Sequence, residues 1–247
     1  MQQINLEQEL EKAHLRTSDI VDFARELWLK SEGFDIRPKM HQSIRIYEAV
    51  KNGIKRMFFS DTTSAGKTFP TIAIFGMTDK HLIASEGRRA RALFIGPKQA
   101  LESALAQEEI DEYTKALDLP SQNHVRIKRN NLRALEENNF NSINFGKISI
   151  APENNIYLNA LSRILPSLDL VVVDECHNLK NIFANRTSAF VNLVEKTLKK
   201  RFLMLSASAI PNRLEDAGFL MYMMNLFHFN RIVFTKNLGC LFNKIKY

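Results

Sequence analysis

The stretch Asp61–Thr68 combines residue types and a spacing that are suited to holding phosphate groups. Gly66, Lys67 and Thr68 match the second half of the phosphate-loop pattern, in which two glycines separated by four residues precede a lysine and a hydroxyl residue. Asp61 stands where the first glycine would be. An apolar run precedes the loop and a helical pattern follows it, so backbone N–H groups at a helix N-terminus would face the phosphates.

Each loop residue has a predicted role. Lys67 would reach the β- and γ-phosphates of a nucleotide, and Thr68 would place its hydroxyl on Mg²⁺. Gly66 would allow the backbone to approach the phosphate without a Cβ. The other loop residues that would bind the nucleotide are Thr63, Ser64 and Ala65. The alternative interpretation is an ordinary strand-to-helix turn that contains Gly-Lys-Thr.

Two acidic residues follow a second apolar run, 170–173. Asp174 would hold Mg²⁺, usually through water, and Glu175 would orient or deprotonate an attacking water. A carboxylate pair at the end of a buried strand is unfavourable unless a cation or a reaction uses it. Cys176 and His177 come next, but their spacing to these acids does not suit zinc, so we expect Cys176 to pack as a small buried residue.

Two weaker patterns accompany these. The hydroxyls of Ser206 and Ser208 follow a third apolar run and could link a phosphate site to a second site, although a capped strand-to-helix turn explains them equally. Gln42 carries an acceptor and donors, so it could bind the edge of adenine. Taken alone, a glutamine at position 42 would be expected on the surface.

Elements that place these residues together can be predicted from the apolar runs, which are 57–59, 92–95, 148–150, 170–173 and 202–205. Continuous apolar strands indicate a sheet covered on both faces, and the intervening helical stretches, such as Gln99–Leu117 and Ala184–Lys199, suit crossover helices. This predicts an α/β fold with a mainly parallel sheet, in which ligands bind beyond the carboxyl ends of the strands. Residues 5–31, with a break and a helix cap at Thr17–Asp19, and Met40–Val50 are predicted to be helical.

Composition limits the classes of protein. Among the 247 residues, 45% are hydrophobic and 25% are charged, which is typical of a globular protein and excludes disorder, collagen and coiled coil. No apolar run is long enough to span a membrane, and the polar, acidic N-terminus is unlike a secretory signal. The two cysteines, Cys176 and Cys240, cannot form a disulfide framework, which indicates a reducing compartment.

Charge is unevenly distributed. The first 35 residues contain eight acidic and four basic residues and have a net charge of −4. Because the whole chain has a net charge of +7, the other 212 residues have a net charge of +11. This favours a polyanionic partner such as nucleic acid, or serves solubility alone. Three basic clusters are candidates for backbone contacts: 88–91, 126–129 and 196–201.

Taken together, these stretches resemble superfamily 2 helicase-type ATPases, and most closely the N-terminal RecA-like domain of Swi/Snf-like DNA translocases. The resemblance covers roughly residues 36–227. It rests on five stretches: Arg37–Gln42 resembles the adenine-reading Q motif, Asp61 is typical of this group's phosphate loop, Asp174–Asn181 resembles motif II, Leu205–Asn212 resembles motif III and Ala92–Pro97 resembles motif Ia.

Some positions depart from the Swi/Snf-like pattern. Ser64 replaces a usual glycine, and the loop around it is also similar to that of RNA- and DNA-unwinding relatives. Cys176 replaces a usual alanine or glycine, and Asp-Glu-Cys-His occurs in duplex-RNA-sensing relatives. Ser208 and Ala209 stand where Thr-Pro is common. None of these changes removes a catalytic side chain, so the choice between DNA and RNA stays open.

The resemblance implies a RecA-like fold, with a mainly parallel sheet, helices on both faces and a helical N-terminal extension. The expected divisions are an extension over 1–35, an ATP-binding domain over 36–229 and a tail or linker over 230–247. ATP and Mg²⁺ are the implied cofactors. The implied catalytic residues are Lys67, Asp174 and Glu175, the residues that couple nucleotide to nucleic acid are His177, Ser206 and Ser208, and the nucleic-acid contacts are Lys98 and the loop 151–155.

The implied activity is ATP hydrolysis coupled to movement on nucleic acid, with duplex DNA as the expected track, in the cytoplasm, nucleoid or nucleus. Relatives complete their ATP site with arginines from a second RecA-like domain, for which we find no room after Asn212. The chain is therefore expected to be a fragment or a subunit of a split machine, with weak hydrolysis alone. The alternatives are a nucleotide-binding switch or scaffold without motor activity, and the lobe of an RNA helicase.

Overall fold

A computed structural model describes residues 17–60, 66–149, 155–179, 187, 190–191 and 201–207. The strands are β1 (Arg56–Ser60), β2 (Ala92–Gly96), β3 (His124–Arg126), β4 (Phe140–Asn144), β5 (Leu170–Val173) and β6 (Arg201–Ser206). The helices are α1 (Thr17–Lys30), α2 (Met40–Val50), α3 (Thr68–Glu86), α4 (Lys98–Ala104), α5 (Gln107–Ala116), α6 (Ala134–Glu137), α7 (Phe145–Ile148) and α8 (Ile156–Ile164). Short 3₁₀ turns cover Arg129–Asn131, Leu165–Ser167 and Cys176–Leu179.

The strands form one sheet in the order β1-β6-β5-β2-β4-β3, and every pair is parallel. Strands β2 and β5 are buried along their whole length, as their uninterrupted apolar residues predict. Parallel neighbours need crossover connections, and helices supply them here. The predicted α/β class with a mainly parallel sheet is confirmed.

Side chains that alternate along the strands feed two apolar cores, one on each face of the sheet. On β2, Ala92 and Phe94 enter the core that contains α3, whereas Leu93 and Ile95 enter the core that contains α8. Helix α3 is buried on most of its surface because it lies between α2 and α5. The sheet is therefore held rigidly from both sides, which fixes the positions of the residues at its carboxyl edge.

Four of the five predicted strands are confirmed, and one is wrong. Ile148 and Ser149 of the apolar run 148–150 are not in a strand; the fourth strand is β4, which begins eight residues earlier and is followed by α7. Residues 150–154, which include most of the loop 151–155 expected after that run, lie outside the described residues. The predicted helix 99–117 is two helices, α4 and α5, that are separated at Leu105 and Ala106. The predicted helix 184–199 lies almost entirely outside the described residues.

Helix α1 covers Thr17–Lys30, within the predicted helical stretch 5–31, and α2 covers the predicted Met40–Val50. The part of the predicted stretch before residue 17 lies outside the described residues. Phe23 of α1 packs edge-on against Tyr47 of α2 with ring centroids 5.4 Å apart, and it belongs to the same core as the sheet. The division at residue 35 stays a prediction. Within the described ranges, no helix has both the length and the apolarity to cross a membrane.

Candidate nucleotide site at the carboxyl edge of the sheet

Three strands bring the candidate residues to one edge of the sheet. Strand β1 leads toward Lys67, β5 is followed by Asp174, and β6 ends at Ser206. Since β6 lies between β1 and β5, the phosphate-loop strand and the acidic strand flank it. Carboxyl ends of parallel strands point the same way, so these side chains converge as the sequence predicted. Thr63, Ser64, Ala65 and Ser208 lie outside the described residues.

Gln42 is held against the phosphate loop. Its Oε1 accepts a hydrogen bond from the Lys39 backbone N–H at 2.9 Å, and its Nε2 donates one to the Gly66 carbonyl at 2.9 Å. The residue is 5% exposed, so the surface location suggested by its residue type alone is wrong. Gly66 has a φ of +68°, and a Cβ there would lie 2.6 Å from Nε2 of Gln42. Only glycine fits this backbone and this close approach.

Lys67 and Thr68 stand where the loop becomes helix α3. Lys67 is only 9% exposed, and Thr68 is the first residue of the helix. Pro70 is buried in the first turn, where the lack of an N–H breaks no intrahelical hydrogen bond. Lys67 therefore adds its positive charge to the partial positive charge of the helix N-terminus, and both charges attract a phosphate group.

Asp174 is fixed directly after β5. Its backbone N–H donates to the Ile95 carbonyl at 2.7 Å, which extends the β2–β5 pairing by one residue. Burial raises the pKa of the Asp174 carboxyl, and the Glu175 carboxylate raises it further, while the Glu175 N–H and the charge of Lys67 act in the opposite direction. Gly96, at the end of β2, allows this approach, because a Cβ there would lie 3.2 Å from the Asp174 Cβ.

Glu175 adopts a left-handed backbone conformation with a φ of +50°, which is uncommon outside glycine. Its N–H donates to Oδ1 of Asp174 at 2.9 Å, and its Oε2 lies 3.0 Å from Nδ1 of His177. The sharp turn at Glu175 directs the chain away from the strand, so the two adjacent carboxylates occupy different positions. One can face a cation while the other faces a water.

His177 bridges from this turn to β6. Its Nδ1 lies 3.2 Å from Oγ of Ser206, which is fully buried at the end of β6. The predicted coupling residues His177 and Ser206 are therefore in contact. Cys176 is buried in the core, and burial raises the pKa of its thiol to about 12. A thiol that stays protonated does not ligate metal readily, so its predicted packing role fits its place.

These residues fit a magnesium nucleotide. A buried carboxylate whose pKa is raised is one that a divalent cation would stabilise, and oxygen ligands are those that Mg²⁺ prefers. In the described part of the chain, no three His, Cys, Asp or Glu side chains cluster closely enough to hold a metal by themselves. Mg²⁺ would therefore be held by Asp174, Thr68 and phosphate oxygens, as it is where the nucleotide supplies part of the coordination.

A second group of side chains lies at the same edge, beyond β2, β3 and β4. We call Lys98, Arg126, Lys128 and Lys147 the basic edge. Lys98 begins α4 and its Nζ lies 4.0 Å from Oε1 of Glu102, which also accepts from Arg126. The hydrogen bond from Arg126 lowers the pKa of Glu102, and the charges of Lys98 and Lys128 lower it further. Burial lowers the pKa of Lys147, and the charges of Arg126 and Lys128 act in the same direction.

The arginines of the 88–91 cluster lie at the opposite edge, before β2 begins. Arg88 donates to both carboxylate oxygens of Asp169 at 2.9 and 3.0 Å. Arg89 pairs with the buried Asp79 at 2.8 Å. Arg201, at the start of β6, donates to the Ala49 and Ile54 carbonyls. Arg88, Arg89 and Arg201 form contacts within the fold at the edge opposite the nucleotide site, so these three residues are poor candidates for contacts with nucleic acid. Lys196, Lys199 and Lys200 lie outside the described residues.

Three residues that contribute to these sites could not be identified from the sequence. Gly96 stands out only as part of a loop, although its lack of a side chain admits Asp174. Asn178 contacts both Glu175 and His177, at 2.9 and 3.4 Å, and its position directly after His177 is the available signal. Lys147 does not stand out, because the apolar runs place the fourth strand too late in the chain.

Comparisons with known proteins agree with this geometry. A model of the DEAD/DEAH box helicase family matches residues 40–217. The structure is similar to the UvsW helicase of bacteriophage T4, with a TM-score of 0.52 and 13% identity over 89% of this chain and 73% of that chain. It is also similar to the DUF1998 helicase MrfA bound to DNA, with a TM-score of 0.54 and 17% identity over 80% of this chain and 28% of that chain.

At these identities the structural matches show the fold alone, and this chain spans only 28% of the length of MrfA. A comparison with curated proteins finds no match. The family match nevertheless extends over more than half of the 247 residues and includes Lys67 and the acidic pair after β5. The chain therefore belongs to the DEAD/DEAH box helicase family, whose members in general hydrolyse ATP.

Proposed function

We propose that this chain is the ATP-binding first lobe of a superfamily 2 motor of the Swi/Snf-like type, which couples ATP hydrolysis to movement on nucleic acid, duplex DNA in particular. The observation that carries the proposal is the convergence of Lys67, Asp174 and Glu175 on one edge of the sheet, with Gln42 beside the loop. Lys67 provides a group that binds phosphate, Asp174 one that binds the cation and Glu175 one that binds water. Gln42 fixes the backbone that the nucleotide contacts.

The side chains divide the reaction as follows. Lys67, nearly buried at a helix N-terminus, binds phosphate oxygens, and Thr68 and Asp174 orient the cation that balances phosphate charge. Glu175 accepts the proton of the attacking water, and its Oε2 lies 3.0 Å from Nδ1 of His177. Gln42 binds the Gly66 carbonyl and so fixes the backbone directly before Lys67.

Coupling to nucleic acid uses the contact between motif II and the end of β6. A change at Glu175 on loss of the γ-phosphate would be felt by His177 and, through it, by Ser206. Ser206 leads into the segment that contains Ser208. The resemblance to Swi/Snf-like translocases implies that Ser206 and Ser208 couple nucleotide to nucleic acid and that a second RecA-like domain completes the ATP site, so that domain is the proposed recipient of the motion.

The basic edge is the proposed track for the nucleic-acid backbone. Lys98 and Lys128 project charge at the edge where the nucleotide binds, and motors that grip phosphates do not depend on base identity. Asp61 and Lys180-Asn181 favour the Swi/Snf-like type and hence duplex DNA. The Asp-Glu-Cys-His sequence favours an RNA helicase lobe as the second candidate.

The test is the rate of ATP hydrolysis by the 247-residue chain alone and with duplex DNA, single-stranded DNA or duplex RNA, together with the affinity for Mg²⁺-nucleotide. We expect nucleotide binding with very slow turnover, because arginines of a second domain contribute about 10³- to 10⁵-fold in such sites. Rapid turnover stimulated by nucleic acid in a monomeric chain, checked by sedimentation, would contradict the need for a second domain.

A matched variant separates binding from chemistry. Glu175→Gln keeps the size of the side chain and removes its basicity, so it should retain nucleotide affinity and lose residual hydrolysis by about 10²-fold or more. Glu136→Gln, on α6 at the opposite edge of the sheet, is the control. A chain that folds but binds no nucleotide would refute the proposed function. Stimulation of turnover by duplex RNA alone would favour the RNA helicase lobe.

A further inference from the structure

Asn178 holds the backbone of the residue proposed to act as general base. The Glu175 carbonyl accepts two hydrogen bonds from it, one from the backbone N–H at 3.0 Å and one from the side-chain Nδ2 at 2.9 Å. Glu175 itself has the left-handed φ of +50°. A non-glycine residue keeps that conformation only when its surroundings support it. The two hydrogen bonds from Asn178 supply such support.

The same amide determines which nitrogen of His177 carries a proton. A carbonyl oxygen only accepts, so the atom of Asn178 that faces Glu175 must be Nδ2 and not Oδ1. Nδ2 has a second hydrogen, and Nε2 of His177 lies 3.4 Å from it. Nε2 is therefore the acceptor of the ring. In a neutral imidazole the other nitrogen, Nδ1, then carries the hydrogen.

The hydrogen on Nδ1 of His177 lies close to two oxygen atoms. Nδ1 of His177 lies 3.0 Å from Oε2 of Glu175 and 3.2 Å from Oγ of Ser206. With the proton on Nδ1, the ring can donate to Oγ of Ser206, and its N–H lies beside Oε2 of Glu175, an oxygen that makes no hydrogen bond within the described residues. With the proton on Nε2, two acceptors would face each other across 3.0 Å, and Nδ2 of Asn178 would oppose another donor. Ser206 can pair with Nδ1 in either tautomer, because its hydroxyl donates or accepts, so the contacts of Nδ1 with Glu175 and of Nε2 with Asn178 are the ones that favour protonation at Nδ1.

We propose that Asn178 is a positioning residue that holds the Glu175 backbone and selects the tautomer of His177 whose Nδ1–H lies beside the Glu175 carboxylate. It acts through the Glu175 backbone and the His177 ring and touches no reacting atom. The catalytic consequence rests on the proposed function, in which Glu175 accepts the proton of water. The tautomer itself is a property of the chain without nucleotide and can be measured separately.

The decisive measurement is the nitrogen NMR spectrum of the imidazole rings in the ¹⁵N-labelled chain, in which the two neutral tautomers give different patterns. Six histidines are present, and the signals of His177 are identified by their disappearance in His177→Asn. We expect the unsubstituted chain to show His177 with its proton on Nδ1. Finding it on Nε2 would overturn the proposal, whatever the variants do.

Asn178→Asp replaces the donor by an acceptor of the same shape and should remove the Nδ1-protonated pattern in favour of protonation at Nε2. The matched control is Asn138→Asp. Asn138 also donates from Nδ2 to a backbone carbonyl, that of Ala134 at 3.2 Å, but it precedes β4 at the opposite edge of the sheet. If Asn178→Asp does not fold, Asn178→Ala removes the donor without adding charge and should give a mixture of tautomers.

Kinetics provide a second readout. In Asn178→Asp or Asn178→Ala, nucleotide affinity should stay within about twofold, while single-turnover hydrolysis falls by about 10- to 100-fold, the usual effect of removing a group that orients a reacting residue. Equal reductions of affinity and rate would point to a structural role and contradict the proposal. Absence of nucleotide binding in the unsubstituted chain would instead refute the proposed function and leave the tautomer result standing.

Discussion

The amide of Gln42 donates to the carbonyl of Gly66 at 2.9 Å, across 24 residues of sequence. This bond ties helix α2 to the phosphate loop, so the loop's backbone is positioned from outside as well as by β1 and α3. Gln42 is also anchored at its other end, since Oε1 accepts from the Lys39 N–H at 2.9 Å. The side chain is thus a brace for the loop, in addition to any contact with adenine.

Gly66→Ala tests this brace. The new Cβ would lie 2.6 Å from Nε2 of Gln42, and the φ of +68° would be strained. Gly87→Ala is the matched control, because Gly87 has a φ of +65° with nothing within 4 Å of a Cβ. Both variants should lose about 1–2 kcal/mol of unfolding free energy through backbone strain. Only Gly66→Ala should also lose nucleotide affinity, as measured with a fluorescent nucleotide; equal affinities would contradict the brace.

Lys67→Ala should weaken the binding of Mg²⁺-ATP by about 10- to 100-fold, since hydrogen bonds to charged groups contribute about 1.5–3 kcal/mol. Lys80→Ala is the control on the same helix, because Lys80 pairs with Asp118 at the surface. Titration calorimetry checks the affinity, and circular dichroism checks the fold. Unchanged affinity in a folded Lys67→Ala chain would refute the phosphate-loop assignment.

Lys98→Ala and Lys128→Ala should weaken nucleic-acid binding equally for all sequences. Each should also reduce the slope of log affinity against log salt by about one for every phosphate that the variant no longer neutralises. Lys115→Ala is the control, because Lys115 lies in the last turn of α5, at the opposite edge of the sheet. Fluorescence anisotropy at several salt concentrations measures the slope. A slope that the three variants share with the unsubstituted chain would exclude the basic edge as the track.

His124 makes the free energy of unfolding depend on pH. Burial lowers the pKa of His124 from 6.5 to about 4, so the unfolded chain takes up a proton at a higher pH than the folded chain does. Stability from this residue is complete above pH 6.5 and is lost as the pH falls from 6.5 to about 4, by about 2–3 kcal/mol in total. We would measure the free energy of unfolding by urea at several pH values. It should change less with pH in His124→Gln than in the exposed control His81→Gln.

The parts of the fold that could be predicted from the sequence are those whose residue types leave few alternatives. Strands β2, β5 and β6 are short apolar runs, which a two-sided core requires. Strand β4 escapes prediction because Asn141 and Ser142 are residue types typical of loops. In the structure, Asn141 donates to the Asn138 carbonyl and Ser142 bonds to His124 at 2.8 Å, contacts that no local pattern reveals.

The candidate site also contains residues that the sequence predicts and residues that only the structure reveals. Lys67, Asp174 and Glu175 could be found because their chemistry depends on a fixed order along the chain. The contributions of Gly96 and Asn178 depend on distances across the fold, 3.2 Å to the Asp174 Cβ and 2.9 Å to the Glu175 carbonyl. Such contacts become visible only when the strands are arranged in space.

The strand order also has a consequence for synthesis on the ribosome. In the described sheet, β1 has β6 as its one neighbour, and β6 is made about 140 residues later. Strands β2 to β5 are neighbours of one another, so the emerging chain can assemble them first. The strand that leads into the phosphate loop must wait, with its edge unpaired, until residues 201–206 leave the exit tunnel. Nucleotide can therefore stabilise this site in the nascent protein only after β6 has been made.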